Sequence, residues 1–91
     1  MEISFDPVKR ARNLAKHGLD LADAGEVLGR TCFHILDDRE DYGEARNVTF
    51  GLLSGTVVIC VWTDRGDEAR IVSLRKATAN ERKIYFGTIY G

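Results

Sequence analysis

The chain has 91 residues, 44% of them hydrophobic and 30% charged, with a single proline; this is one domain's worth of foldable sequence and excludes disordered, collagen-like and mucin-like classes. Thirteen Lys and Arg against fourteen Asp and Glu give a formal charge of −1, a value that by itself argues against a nucleic-acid binder. The longest apolar run, Val57 to Trp62, is far short of the roughly twenty residues that a membrane helix needs.

In chain order, Ile3 and Phe5 alternate with polar residues as in a short edge strand. Asp6-Pro7 then reads as an N-cap followed by proline at the first helical position. Val8, Ala11, Leu14 and Ala15 fall at three-and-four spacing up to Lys16-His17, and Gly18 supplies a left-handed stop, so a helix is predicted over residues 7–17. Asp20 caps a second, shorter helix with Leu21, Ala24, Val27 and Leu28 on one stripe before Gly29. From Thr31 the period becomes that of strands: Thr31 to Leu36, Val48 to Leu53, Thr56 to Thr63 and Ala69 to Arg75. Ser54-Gly55 and Asp64 to Asp67 supply the turns. Val57 to Trp62 is apolar without alternation and suits a central strand covered on both faces. Thr78 to Glu81 is a capping box that opens a last helix through Ile84, Tyr85 and Phe86 to Gly87. The predicted fold is α+β, one small domain over residues 1–91, ordered β-α-α-β-β-β-β-α, with an antiparallel sheet and helices packed on one side.

Several chemical signatures are missing: a phosphate loop, Cys-x-x-Cys, His-Glu-x-x-His and Gly-x-Ser-x-Gly. No cofactor and no metal site is expected, since His17 and His34 lack a third ligand at metal spacing. Cys32 and Cys60 sit in apolar stretches and read as buried thiols of a cytosolic protein. The acidic N-terminal residues do not form a secretory signal.

The candidate site residues are polar ones. Lys16 and His17 place an ammonium and an imidazole together, which suits acid-base work on a phosphodiester as well as simple capping of a helix C-terminus. His34, between Phe33 and Ile35, reads as a hydrogen-bonded sheet histidine. In the acidic segment from Asp37 to Arg46, an aromatic (Tyr42), a possible base (Glu44) and an arginine (Arg46) stand beside a strand start and suit a ribose and its phosphate, or pairing with neighbours such as Arg39. Arg65 occupies a glycine-containing turn. Arg70 and Arg75, five residues apart, should point to opposite faces of a regular strand. Only one would then line the open face, and Arg75 is favoured because Lys76, Arg82 and Tyr85 follow it. Guanidinium groups suit bidentate phosphate contact and stabilisation of a phosphorane.

Taken together these residues form a familiar pattern. The string Asp6-Pro7, Lys9, Asn13-Leu14, Lys16-His17-Gly18 and Ala24 is followed by Asp38-Arg39, Asp41-Tyr42-Gly43-Glu44 and Arg46. Gly51, Gly55, Val58, Val61, Thr63 and Arg65 come next, then Arg70-Ile71-Val72-Ser73, Arg75-Lys76-Ala77, Glu81-Arg82 and Tyr85. The whole resembles the BrnT family of bacterial toxins. Departures are Trp62, where the family often has tyrosine, and the tail from Gly87 to Gly91.

The resemblance implies a RelE-like fold and a growth-inhibiting endoribonuclease toxin of a type II toxin-antitoxin pair, cytoplasmic and without membrane contact. It also implies a BrnA-type antitoxin with a ribbon-helix-helix DNA-binding part, joined to the toxin as a heterotetramer that represses its own operon, so that operator DNA is touched only through the antitoxin. The implied chemistry is metal-independent cleavage of RNA by the ribose 2′-hydroxyl. On that footing Arg65 and Arg75 are expected at the phosphate and transition state, and His17 or Glu44 in proton transfer. Lys16, Arg46, Arg70, Tyr42 and Tyr85 are expected at the substrate; RNA bases could stack on Trp62 or Tyr85, with a core role favoured for Trp62 by its apolar run. The alternative function is a non-catalytic partner that tunes the operator affinity of such a DNA-binding protein. Divided along the chain, the net charge is +2 over residues 1–18, −5 over 19–46 and +2 over 47–91, so any RNA site must be a local basic patch.

Overall fold

A computed structural model describes residues 2–38 and 43–91; Tyr42, one of the expected substrate residues, lies outside the described residues, as does Arg39. The elements are β1 (Glu2–Phe5), α1 (Pro7–His17), a 3₁₀ turn (Leu21–Asp23) running into α2 (Ala24–Leu28), β2 (Phe33–Asp37), β3 (Arg46–Leu53), β4 (Thr56–Asp64), β5 (Glu68–Lys76) and α3 (Ala79–Tyr90). This is the expected α+β order, and local chemistry accounts for its boundaries. The Asp6 carboxylate accepts the Val8 N–H at 2.8 Å with Pro7 in the first turn. Gly18, at φ 71°, closes α1 by donating its N–H to the Leu14 carbonyl. Ser54 and Gly55 both take positive φ in the two-residue turn between β3 and β4, the conformation whose twist matches that of the flanking strands.

The five strands are ordered β1-β5-β4-β3-β2. Three neighbouring pairs are antiparallel, but β1 runs parallel to β5, so the sheet is mixed and not wholly antiparallel. Central β4 is covered on both faces. Val58, Cys60 and Trp62 join Leu21, Ala24, Val27, Ala69, Ile71 and Leu74 in one core beneath the 3₁₀ turn and α2. Val57 and Ile59 point the other way, into a second core with Phe50, Ala77 and Tyr85. The final helix therefore packs on the face opposite α2, where helices on one side only were expected. It also continues past Gly87 to Tyr90, with Ile89 packed against the second core; a glycine ends a helix only when it leaves the right-handed region.

Two positions decide the shape of the open sheet surface. The first is a β-bulge in β5. Val61 pairs with Ser73 and Trp62 with Ile71, so Val72 has no partner residue on β4. The extra residue resets the alternation: Ile71 and Leu74, three apart, both enter the first core, and Arg70 and Arg75 emerge together on the opposite face. The second is Asn13, which holds α1 against the edge of β5 beyond the end of β1. Its amide donates to the Leu74 carbonyl at 2.8 Å and the Leu19 carbonyl at 2.9 Å, and its oxygen accepts the Leu74 N–H at 3.1 Å. A polar side chain thus completes a strand edge. In consequence α1 turns its apolar stripe outward, leaving Val8 and Leu14 about half exposed, with Ala11 and Ala15 exposed beside them.

Candidate active site

The face of the sheet left open beside α3 carries the basic residues. A cavity of about 190 Å³ is lined by Lys9 at the start of α1, Arg46 of β3, Thr63 of β4, Arg65 of the β4–β5 turn and Arg70 of β5, with Asp6, Glu44, Ile71 and Val72. Four cations from four separate elements meet there. Pairing of Thr63 with Arg70 across β4 and β5 places Arg70 on this surface, and the bulge at Val72 forms part of the wall. Arg65 donates from Nη2 to Glu44 Oε1 at 3.0 Å and from Nε to Thr63 Oγ1 at 3.3 Å, which orients the guanidinium. Gly66, at φ 84°, permits the turn that carries Arg65, and its N–H is held by the Asp64 carboxylate at 2.9 Å.

A second cavity of about 280 Å³ adjoins the first and shares Lys9 and Val72 with it. Arg12, Asn13, Lys16, His17 and Ser73 complete its lining. His17 stands eight residues beyond Lys9, about 12 Å along the helix, and so lies in this adjoining cavity and not beside Arg65 and Glu44.

The other expected site residues are placed elsewhere. Arg75 shares the open face but is bound bidentately to Glu81 at the start of α3, at 2.7 and 2.9 Å. The Arg75 hydrogen bonds hold the Glu81 carboxyl down at about 2, with help from the capping-box N–H of Thr78. Thus Arg70, not the favoured Arg75, joins Arg65 in the cavity; the expectation of opposite faces assumed a regular strand, and the bulge removes that assumption. Tyr85 is fully buried in the second core, stacked at 6.3 Å with Phe33, and its hydroxyl donates to the Thr31 carbonyl, so it is not brought to the arginines. Burial raises the pKa of its phenol. Trp62 is a core residue as read from the sequence, donating its indole N–H to Thr49 at 2.8 Å, and His34 is the hydrogen-bonded strand histidine, its Nδ1 2.6 Å from the same hydroxyl. Both cysteines are free, Cys60 buried with its thiol pushed up to about 12 by desolvation. Lys9, Arg12 and Asp6 are site residues that the sequence motifs do not mark as such; the available signal is spacing, since Lys9, Arg12 and Lys16 lie at i, i+3 and i+7 on one side of a helix.

Residues 5–81 match the family model described as a ribonuclease toxin, BrnT, of type II toxin-antitoxin system. The chain belongs to the BrnT family. Every cation of the first cavity lies within the matched span, and membership makes the chain a ribonuclease toxin with an antitoxin as partner. No curated protein matches the sequence. Among the described residues, no helix of this BrnT chain is long and apolar enough to cross a membrane.

Proposed function

We propose that this BrnT chain is a cytoplasmic, metal-independent endoribonuclease whose reacting phosphate sits in the cavity formed by Lys9, Arg46, Arg65 and Arg70. The observation that carries the reading is the gathering of these four cations in one cavity with Glu44, at the ion-pair distance from Arg65, and with Asp6, whose carboxylate is engaged in capping α1, in a chain whose net charge is −1. The ribose 2′-hydroxyl attacks the adjacent phosphorus and passes its proton to Glu44. The bond from phosphorus to the 5′-oxygen then breaks, giving a 2′,3′-cyclic phosphate and, once that oxygen takes a proton from water, a 5′-hydroxyl. Arg65 and Arg70, with Lys9 and Arg46 beside them, stabilise the charge that builds on the phosphorane oxygens. Arg75, tied to Glu81, braces the start of α3 beside this surface.

The partner in this proposal is a BrnA-type antitoxin with a ribbon-helix-helix part, assembled as a heterotetramer that represses the operon. The outward stripe of Val8, Ala11, Leu14 and Ala15 supports it: an apolar helix face bordered by Arg12 and Lys16 suits an apolar partner segment with acidic flanks.

Expression of the chain alone tests the catalytic reading. Growth arrest with RNA fragments bearing 5′-hydroxyl ends is expected, unaffected by chelators in a purified reaction. Folded Arg65→Ala and Arg70→Ala variants should each lose about 10²-fold or more in cleavage. Indifferent growth on expression of the intact chain, or full toxicity of the doubly substituted folded chain, overturns the proposal; the former would favour a non-catalytic co-repressor.

A further inference from the structure

We propose that the second cavity is a phosphate subsite for the nucleotide next to the cleaved bond, so that the enzyme acts on oligoribonucleotides with at least two phosphodiesters. The proposal rests on the ribonuclease reading of the first cavity, and its test separates the two.

The chemistry of the lining is cationic. Lys9, Arg12 and Lys16 occupy one side of α1 at i, i+3 and i+7 and face Val72 and Ser73 of β5, with His17 at the end of the row. Among the described residues no carboxylate lines this cavity, whereas the first holds Asp6 and Glu44. The three cations are solvent-exposed, so they repel one another only weakly, and their summed positive potential is one that a polyanion's phosphate is drawn to.

The position is also set rigidly. Asn13, in the middle of this side of α1, is anchored to both backbone groups of Leu74, which fixes the spacing between the lysine and arginine row and β5. The bulge that turns Arg70 toward the first cavity contributes Val72 to both cavities, and Lys9 is common to both. A backbone that places one phosphate among Arg46, Arg65 and Arg70 therefore runs on past Lys9 toward Arg12 and Lys16. Lys9 to Lys16 spans about 10 Å of helix, more than one step between successive phosphates. Ser73 adds a hydroxyl. Contacts of this kind read the backbone and not the bases, so the subsite confers a requirement for length without a sequence preference.

The experiment compares kcat/KM for a dinucleoside monophosphate, a trinucleoside diphosphate, and the same trinucleotide with its uncleaved linkage replaced by an uncharged methylphosphonate. A gain of about tenfold or more from the second phosphate is expected, absent with the neutral linkage and largely lost in Arg12→Ala/Lys16→Ala. Arg30→Ala/Lys83→Ala, which removes two exposed cations outside both cavities, should retain the gain and control for the loss of two charges. The slope of log kcat/KM against log salt for the charged trinucleotide should become shallower by about 0.7 for each cation removed. A trinucleotide cleaved no better than the dinucleotide, a neutral linkage that keeps the gain, or a double variant that keeps it would each overturn the proposal. If no oligonucleotide is cleaved, the ribonuclease reading fails, and affinity for non-cleavable 2′-O-methyl forms of the three compounds decides the subsite: the same tenfold difference supports it, and equal binding overturns it.

Discussion

Asn13 joins the stability of the fold to the geometry of the basic face, and its replacement by alanine should be costly. The side chain is buried, and it makes three hydrogen bonds, to the Leu74 N–H, the Leu74 carbonyl and the Leu19 carbonyl. Leu74 is fully buried, so truncation leaves both of its backbone groups without a partner, at about 1–3 kcal/mol each. The lost bond to Leu19 adds about 1 kcal/mol. Alanine recovers a few tenths through its better helix propensity, and water entering from the neighbouring cavity recovers more. The net expectation is a loss of about 3 kcal/mol, a large share of the roughly 5–14 kcal/mol that a chain of this size commands. Urea unfolding followed by the fluorescence of Trp62, the only tryptophan and a core residue, should show the midpoint lowered by about 1–3 M with m unchanged. Because α1 would no longer be fixed to β5, the advantage of a second phosphate should shrink in parallel. A destabilisation below about 1 kcal/mol would refute the reasoning, since it would mean that the edge of β5 is satisfied without Asn13.

Glu81→Gln should cost about 1–2 kcal/mol at neutral pH, a figure discounted because Arg75 is more than a third exposed. The folded chain holds the Glu81 carboxyl at about 2 against an ordinary 4.5, so the unfolded chain takes up the proton first. The stabilisation is therefore complete above about pH 5 and drains away as pH falls toward 2. Thermal melts between pH 2.5 and 7 should show a flatter acid limb in the variant, and an unchanged limb would contradict the pairing. Asp20→Asn should remove a further part of that limb, since the bidentate bonds from Arg10 lower the Asp20 carboxyl as well. Gly51→Ala places a Cβ 2.8 Å from Val27 Cγ1 and 3.2 Å from both the Val27 carbonyl and Cys32 Cβ; overpacking of about 1–3 kcal/mol is expected, and a neutral result in chemical denaturation would show that α2 yields freely. Glu44→Gln should slow RNA cleavage about 10²-fold or more while leaving the urea midpoint in place, because both members of its ion pair are about half exposed; undiminished toxicity would remove Glu44 from the mechanism.

Elements whose signals are local were legible in the residues themselves. The caps of α1, the Ser54-Gly55 turn and the Thr78–Glu81 box each specify a boundary through hydrogen bonds that span two to four residues. What depends on distant partners was not legible. A four-residue β1 carries no mark of which strand it will join or in which direction, so the parallel pairing of Glu2–Phe5 with Glu68–Ile71 is set by contacts more than sixty residues away. The outward turn of α1 has the same origin: its apolar spacing reads as a buried stripe, yet one asparagine supplies the strand edge with what it lacks and takes the inward position. At the site, Lys16, Arg46, Arg65 and Arg70 could be named from side-chain chemistry, whereas Lys9 and Arg12 looked like ordinary helix-surface cations until Val72 and Ser73 stood opposite them.

The bulge at Val72 shows why counting along a strand misplaces the basic face. Alternation carried from Arg70 to Arg75 gives opposite faces, and the choice between the two arginines then falls on whichever has basic neighbours in sequence. One additional residue on β5 lets both hydrophobic partners, Ile71 and Leu74, reach the same core and turns Arg70 toward Arg65 and Arg46. It also disposes of the difficulty posed by a net charge of −1. With Arg70 on the open face, the positive field gathers where α1, β3 and β5 meet, while most of the acidic residues belong to the segment from Asp20 to Glu44. A polyanion is attracted to a face and not to a whole molecule, and the basic face of this chain is shaped by where a strand departs from its period.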